Sequence, residues 1–292
     1  MSELPRRAPE PIPAIRPVPE YRADGDLAAW YEDMKTAFQV PWMGVVTMAF
    51  AHYPTFYETL WTGLRPLAVS RPFVDECRAL RGLVEAEVAA LEPPPIRRRL
   101  ADMGYAEREV AQIRAVNEVF SHGNFLYMLL ATVVRWLLEA GDMAGEGEAA
   151  PFEGRHAPDV EVPLVLMEAH HADRPTREVY EDVKAVLRLP FVNTDYRAFA
   201  RWPSYFAAAW GDLREVAGTP RHEAICQAAH DRLVDAAARR LPNPGGLTAE
   251  RLRAAAAADA PLEEVVDVVR LFQWLLPGLV TNVAYLRAQL AA

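Results

Sequence analysis

The sequence predicts an all-α fold built from two copies of one helical unit. Three observations carry that reading. Apolar residues recur at three- and four-residue spacing, as at Val110, Ile113, Val116, Val119 and Phe120, which is the period of an amphipathic helix. No run of alternating apolar and polar residues between turn signals marks out a set of strands. A constant offset of 149 residues aligns one half with the other: between residues 31–64 and 180–213, 11 of 34 positions are identical, where chance gives about two.

Along the chain, residues 1–23 come first, with six prolines in the first 20 positions, and read as an extended, poorly ordered arm. Residues 24–141 form the first helical repeat, opening with Tyr31-Glu32-Asp33-Met34-Lys35, whose acids suit the start of a helix. Pro41, Ala49-Phe50-Ala51, Pro54, Trp61 and Leu64 follow, and Glu92-Pro93-Pro94-Pro95 breaks the helical pattern. Residues 142–163 hold three glycines, three prolines and six carboxylates in 22 positions and read as an exposed acidic linker. Residues 164–292 form the second repeat. There Tyr180-Glu181-Asp182-Val183-Lys184, Pro190, Ala198-Phe199-Ala200, Pro203, Trp210 and Leu213 return in register, as does Cys226 opposite Cys77. A second breaker runs from Leu241 to Gly246. Two copies of this length predict a pseudo-dimer in which residues about 24–140 superpose on about 174–290, with a ligand site where the copies meet.

Composition narrows the function classes. Forty acidic against 31 basic residues give a formal charge of −9, which argues against nucleic acid as a partner, since that needs a basic face. Two cysteines cannot build a disulfide framework, so a reducing cytoplasm is expected. No uncharged run reaches the ~18 residues that cross a bilayer, so no membrane partner is expected.

The repeat serves as its own control. After the shared proline, the first copy reads Trp42-Met43-Gly44-Val45-Val46-Thr47-Met48 and the second Phe191-Val192-Asn193-Thr194-Asp195-Tyr196-Arg197. Val46 and Asp195 therefore share one position. If Val46 is core, Asp195 is a carboxylate where the fold buries an apolar group, which costs several kcal/mol or raises its pKa. A general base is one reason to keep such a group. Asn193, Thr194 and Asp195 are also good N-cap residues, so the second reading makes Asp195 the cap of a helix starting near Tyr196. The segment Phe120-Ser121-His122-Gly123-Asn124 interrupts an apolar stretch and reads either as a kink between helices or as the polar wall of a pocket. The adjacent His170 and His171 diverge on a helix and make a poor metal site. No GxSxG, HExxH or CxxC is present, no phosphate loop follows a strand, and neither a metal nor a cofactor is expected.

At these residues the chain resembles the DehI-type 2-haloacid dehalogenases, which act on D- and L-2-haloalkanoic acids. The resemblance rests on Val40-Pro41-Trp42, on Phe120-Ser121-His122-Gly123-Asn124, and on Asp195 followed by Tyr196 to Pro203. It implies cofactor-free hydrolysis: Asp195 acts as general base on a water that attacks C2 and displaces halide with inversion. Ser121 stands where the family's water-holding asparagine aligns. Trp42, Val45, Thr194, His122, Asn124 and Phe272 are then the substrate-binding residues, with Val45 in place of a family phenylalanine and Phe272 in place of a tyrosine. Backbone amides around Asn193 to Tyr196 are suited to the substrate carboxylate. The partners implied are a small 2-haloacid and water; a homodimer stays open. Two other readings remain: hydrolysis of another small acid or ester, and a helical protein that binds an apolar ligand without turnover.

Overall fold

The structure is a computed structural model that describes residues 4–291; residues 1–3, part of the Pro-rich arm, and residue 292 lie outside the described residues. Helices carry the fold, as predicted. In order they are α1 (Gly25–Phe38), α2 (Val45–Phe50), α3 (Pro54–Ala68), α4 (Arg71–Ala89), α5 (Arg97–Asp102), α6 (Glu107–Glu139), α7 (Arg174–Leu187), α8 (Thr194–Phe199), α9 (Pro203–Val216), α10 (Pro220–Asp235), α11 (Ala249–Asp259) and α12 (Leu262–Gln289). A short 3₁₀ turn (Glu20–Arg22) precedes α1, and a π-helical turn (Ala236–Arg240) extends α10. Among the described residues the only β pairing is an isolated bridge between Ser70 and Pro151. Among the described residues no helix is long and apolar enough to cross a membrane.

Local chemistry explains the punctuation. Pro54 and Pro203 each sit at the first helical position of α3 and α9, where a missing N–H costs nothing. Asp173 caps α7 by accepting the Thr176 N–H at 2.9 Å, and Thr248 caps α11 by accepting the Arg251 N–H. Helix α1 ends at Gln39 and α7 at Arg188, both left-handed C-caps with φ near +50°. Helix starts recur at the 149-residue offset: Gly25 and Arg174, Val45 and Thr194, Pro54 and Pro203, Arg71 and Pro220.

The chain falls into two compact units. Among the described residues one holds 4–80, 123–157 and 227–277; the other holds 81–122, 158–226 and 278–291. In the first, Phe38 is the hub of an aromatic core, stacked on Phe73 and edge-on to Trp61 and Tyr127. Its N-terminal arm is extended but held: Leu4 is buried with its carbonyl 2.7 Å from His230 Nε2, and the Pro5 and Trp274 carbonyls accept from Arg135 and Arg6. The Gly/Pro-rich stretch after α6 has no helix, yet His156 is buried and its N–H donates to Gln39. In the second unit, Tyr196 packs on Phe206 and Trp210, and Phe199 packs on Phe120 and Tyr205.

Internal hydrogen bonds recur at the same offset in the two units. Trp61 Nε1 donates to Asp33 at 2.9 Å and Arg65 pairs with the same carboxylate at 2.6 Å. Trp210 Nε1 donates to Asp182 at 2.8 Å and Arg214 pairs with it at 2.8 Å. Tyr31 donates to the Val18 carbonyl at 2.8 Å and Tyr180 to the Met167 carbonyl at 2.6 Å. The Asp–Trp–Arg contacts fasten the opening helix of each half to the helix that follows the short α2 or α8, and the tyrosines tie it to the segment that precedes it.

The Arg65 guanidinium beside Asp33 and the Trp61 indole hold its carboxyl below the usual carboxylate range, against the opposing effect of burial. A lowered folded-state pKa adds stability that is complete above the unfolded value of ~3.9 and is lost as pH falls through the folded value. Asp33→Ala is expected to cost about 1–2 kcal/mol at neutral pH, discounted for the partial exposure of the pair. Melting curves from pH 7 into strong acid check it. The gap from wild type should close in acid, and a gap that persists there would exclude the ion pair as its source.

Candidate active site

Helix α8 is short because Pro203 starts the next helix four residues after its end, and it begins after Asn193. Asn193 occupies the N-cap position, but its side chain caps nothing; its Oδ1 is buried without a protein partner. Asp195 is the second residue inside the helix and 2% exposed. The capping reading therefore gives way: the cap position belongs to Asn193. Helix α2 is built alike, with Gly44 at its N-cap, no side-chain cap, and Val46 in the second helical position, 3% exposed. One helix start thus buries a valine and the other a carboxylate.

The surroundings of Asp195 are firmly placed. Tyr196 is fully buried and its hydroxyl accepts from Asn282 Nδ2 at 2.9 Å. Burial pushes that phenol far up and the neighbouring Asp195 carboxylate adds to the rise, so it stays protonated. Thr194 is buried and its Oγ1 accepts from Arg197 at 3.3 Å. Arg197 pairs with Glu168 at 2.6 Å, and its carbonyl accepts the Met167 N–H at 2.9 Å. The Tyr196, Glu168 and Met167 contacts tie the turn of α8 to neighbouring segments of the same unit.

Ser121 lies on α6 in the same unit, next to Phe120, whose ring meets Phe199 of α8 edge-on at 5.9 Å. Ser121 is 2% exposed, and its hydroxyl donates to Glu85 Oε1 at 3.1 Å. Glu85 belongs to a set of charges on α4, α6 and α12. Arg81 pairs with Glu85 and Glu118 at 2.8 Å each, and Arg287 pairs with Glu118 at 2.6 Å and Glu85 at 3.4 Å. Neither Glu85 nor its role was visible in the sequence, where Arg81 and Glu85 look like an ordinary i,i+4 surface pair. Asn117, one turn before Ser121, was also missed. It is fully buried, donates to the Ile113 carbonyl at 3.0 Å and to Tyr205 at 3.3 Å, and leaves its own Oδ1 without a partner. Its signal was an amide inside the apolar stripe Ile113, Val116, Phe120.

Helix α6 runs unbroken through Ser121-His122-Gly123-Asn124, so the kink reading of that segment is set aside. Residues 119–138 are buried without interruption, which leaves His122 and Asn124 as polar groups inside the protein. The glycine has a packing reason. In the first unit, a Cβ on Gly123 would lie 2.4 Å from Trp42 Cη2 and 2.8 Å from Val40 Cγ1. Trp42 is further fixed by Tyr127, which packs on its ring and donates to its carbonyl at 2.7 Å. The Trp42 loop is also held by Glu20, which accepts the Met43 N–H at 3.0 Å. Val45 opens α2 and is half-buried, and Phe272 meets Phe50 of the same helix edge-on at 6.1 Å. Trp42, Val45, Asn124 and Phe272 thus belong to the first unit, and Ser121, His122, Thr194 and Asp195 to the second. His170 and His171 lie in a turn before α7, not on a helix, with ring centroids 4.0 Å apart.

Comparison with known proteins places this geometry. A family model described as halocarboxylic acid dehydrogenase DehI matches residues 41–189. An (R)-2-haloacid dehalogenase of Rhizobium sp. (strain NHG3) is 49% identical over 248 residues, which is 85% of this chain and 96% of that protein. An (R)-2-haloacid dehalogenase of Pseudomonas putida is 38% identical over 293 residues, covering 98% and 96%. The solved complex of a D-2-haloacid dehalogenase mutant with D-2-CPA superposes with a TM-score of 0.86 at 35% identity, covering 99% of each chain.

The Gly123 contact is directly testable. Gly123→Ala has no room unless Trp42 and Val40 shift, and overpacking of this kind costs about 1–3 kcal/mol. A lowered melting temperature is expected despite alanine's better helix propensity; an unchanged or higher one would contradict the packing described.

Proposed function

The chain belongs to the DehI family and is a 2-haloacid dehalogenase; on that premise we propose that it hydrolyses short 2-haloalkanoic acids directly, with Asp195 as general base and the (R) enantiomer preferred. The observation that carries the mechanism is the buried carboxylate of Asp195 at a helix position where the other half of the chain has Val46. The preference for (R) follows the naming of two relatives at 49% and 38% identity.

In this reading Asp195 takes a proton from a water as the water oxygen bonds to C2. The carbon–halogen bond breaks on the opposite face, halide leaves with the bonding electrons, and the configuration at C2 inverts. The proton passes from Asp195 to solvent, leaving a 2-hydroxy acid, halide and one proton. Each atom is accounted for without a redox step.

A nucleophilic water must keep a lone pair for carbon, so its two hydrogens need two acceptors. Asp195 is one and Ser121 Oγ the other. A serine hydroxyl can donate or accept. Here its hydrogen is committed to Glu85, which leaves its lone pairs facing any further partner. Serine can then serve where the family pattern expects the carbonyl oxygen of an asparagine. Thr194 stands next to the base in the second unit, and Trp42, Val45, His122, Asn124 and Phe272 keep the substrate-binding roles that the family resemblance implies.

The same reading takes the halves as copies of one ancestral unit, in which one copy kept the apolar residue and the other acquired the base. The recurring helix starts and the paired Asp–Trp–Arg contacts support it.

Asp195→Asn keeps the shape and removes the proton acceptor. Halide release from (R)-2-chloropropionate should fall by about 10²–10⁴-fold, with the melting temperature kept. Retained turnover would end the assignment. Ser121→Ala should lower kcat more than it raises KM, because the water loses its second acceptor while the substrate-binding residues are kept; an unchanged kcat would remove Ser121 from the mechanism.

A further inference from the structure

The first two turns of α10 bring together three side chains that the haloacid reaction does not use. His222 Nδ1 lies 3.8 Å from Cys226 Sγ and 3.7 Å from Glu223 Oε1, and all three ligand atoms are within 4.8 Å of one another. His222 and Cys226 are one turn apart and buried, while Glu223 is exposed at its outer edge. We propose that His222, Glu223 and Cys226 form a binding site for a thiophilic divalent cation of the zinc class.

The spacing suits the ion. Bonds of ~2.0 Å to nitrogen or oxygen and ~2.3 Å to sulfur at tetrahedral angles set neighbouring ligands about 3.3–3.5 Å apart. The two distances to His222 Nδ1 need to shrink by only a few tenths of an ångström, and a turn of the exposed Glu223 side chain toward Cys226 closes the third. Imidazole, thiolate and carboxylate are together a zinc donor set, with a fourth position left for water. The thiolate and carboxylate carry two negative charges, which more than offset the unfavourable positive end of the helix.

The orientation of His222 is the independent observation. Its Nε2 is 2.8 Å from Asn282 Oδ1, an acceptor only, so Nε2 carries the hydrogen and Nδ1 is turned toward Cys226 and Glu223. A metal-binding histidine is held in this manner, its second nitrogen donating to a fixed oxygen. Asn282 is itself fixed by donating to Tyr196 at 2.9 Å. Cys226 Sγ has a weak second contact, Thr281 Oγ1 at 3.6 Å. The Gly218 N–H approaches Nδ1 at 3.4 Å, a long contact that a metal bond displaces. Glu223, at the surface, is the point of entry.

The test is a titration of the full-length protein with cobalt(II), read by the thiolate-to-cobalt charge-transfer band in the near ultraviolet. The band should saturate at one ion per chain, persist in Cys77→Ser, and vanish in Cys226→Ser. Zinc should bleach it by displacement. Asn282→Ala touches no ligand atom, yet should weaken binding about 10–100-fold by releasing His222. His222→Asn, checked for a normal melting curve, keeps the thiol and should still lose high-affinity binding. No band in the wild type, or a band that survives Cys226→Ser, would overturn the site.

Discussion

The burial of one carboxylate at the start of a short helix sets the terms for the rest of the site. Asp195 is 2% exposed in α8, at the second helical position, where α2 has a buried valine. A carboxylate there loses most of its hydration, a cost of several kcal/mol unless something nearby compensates. Such a cost is sustained only when the surrounding structure fixes the group, and α8 is held by several contacts within its unit. Tyr196 is locked by Phe206, Trp210 and Asn282, Thr194 by Arg197, and the Arg197 backbone by Met167. In the proposed mechanism Asp195 is the base, and a fixed α8 backbone suits proton abstraction from a single water.

In the first unit, packing fixes Trp42 in the same manner. Trp42 is held against Gly123 so closely that no side chain fits between them, and its loop is pinned by Tyr127 and Glu20. The long α6 supplies Ser121 and His122 to one unit and Gly123 and Asn124 to the other. A helix that is buried over twenty consecutive residues, with hydrogen bonds made within itself, is a stiff rod on which to mount such groups.

Much of this was legible in the sequence because it follows from periodicity and from turn residues. The all-α class came from the three- and four-residue spacing around Val110 to Phe120, and the 149-residue offset paired Pro54 with Pro203, which both prove to open helices. Asp195 stood out because the second half could be laid on the first and Val46 served as its control. What stayed hidden depends on contacts distant in sequence. Glu85 gives no local sign that it accepts from Ser121, 36 residues later. Gly123 looked like a helix breaker because its steric partner, Trp42, lies 81 residues away. The capping reading of Asp195 failed by two residues, within the usual margin for helix boundaries. His222 and Cys226 carry no recognised motif, and only the fold shows Asn282 behind the imidazole.

The central claim is that water makes the new bond to C2, with Asp195 taking its proton. An aspartyl-ester route would need the carboxylate itself to reach C2, and a second base to hydrolyse the ester. A single turnover with enzyme in excess over a 2-haloacid, run in isotopically labelled water, separates the two. The account predicts labelled oxygen in the 2-hydroxy acid from the first turnover. Unlabelled product, with its oxygen taken from the Asp195 carboxylate, would contradict it.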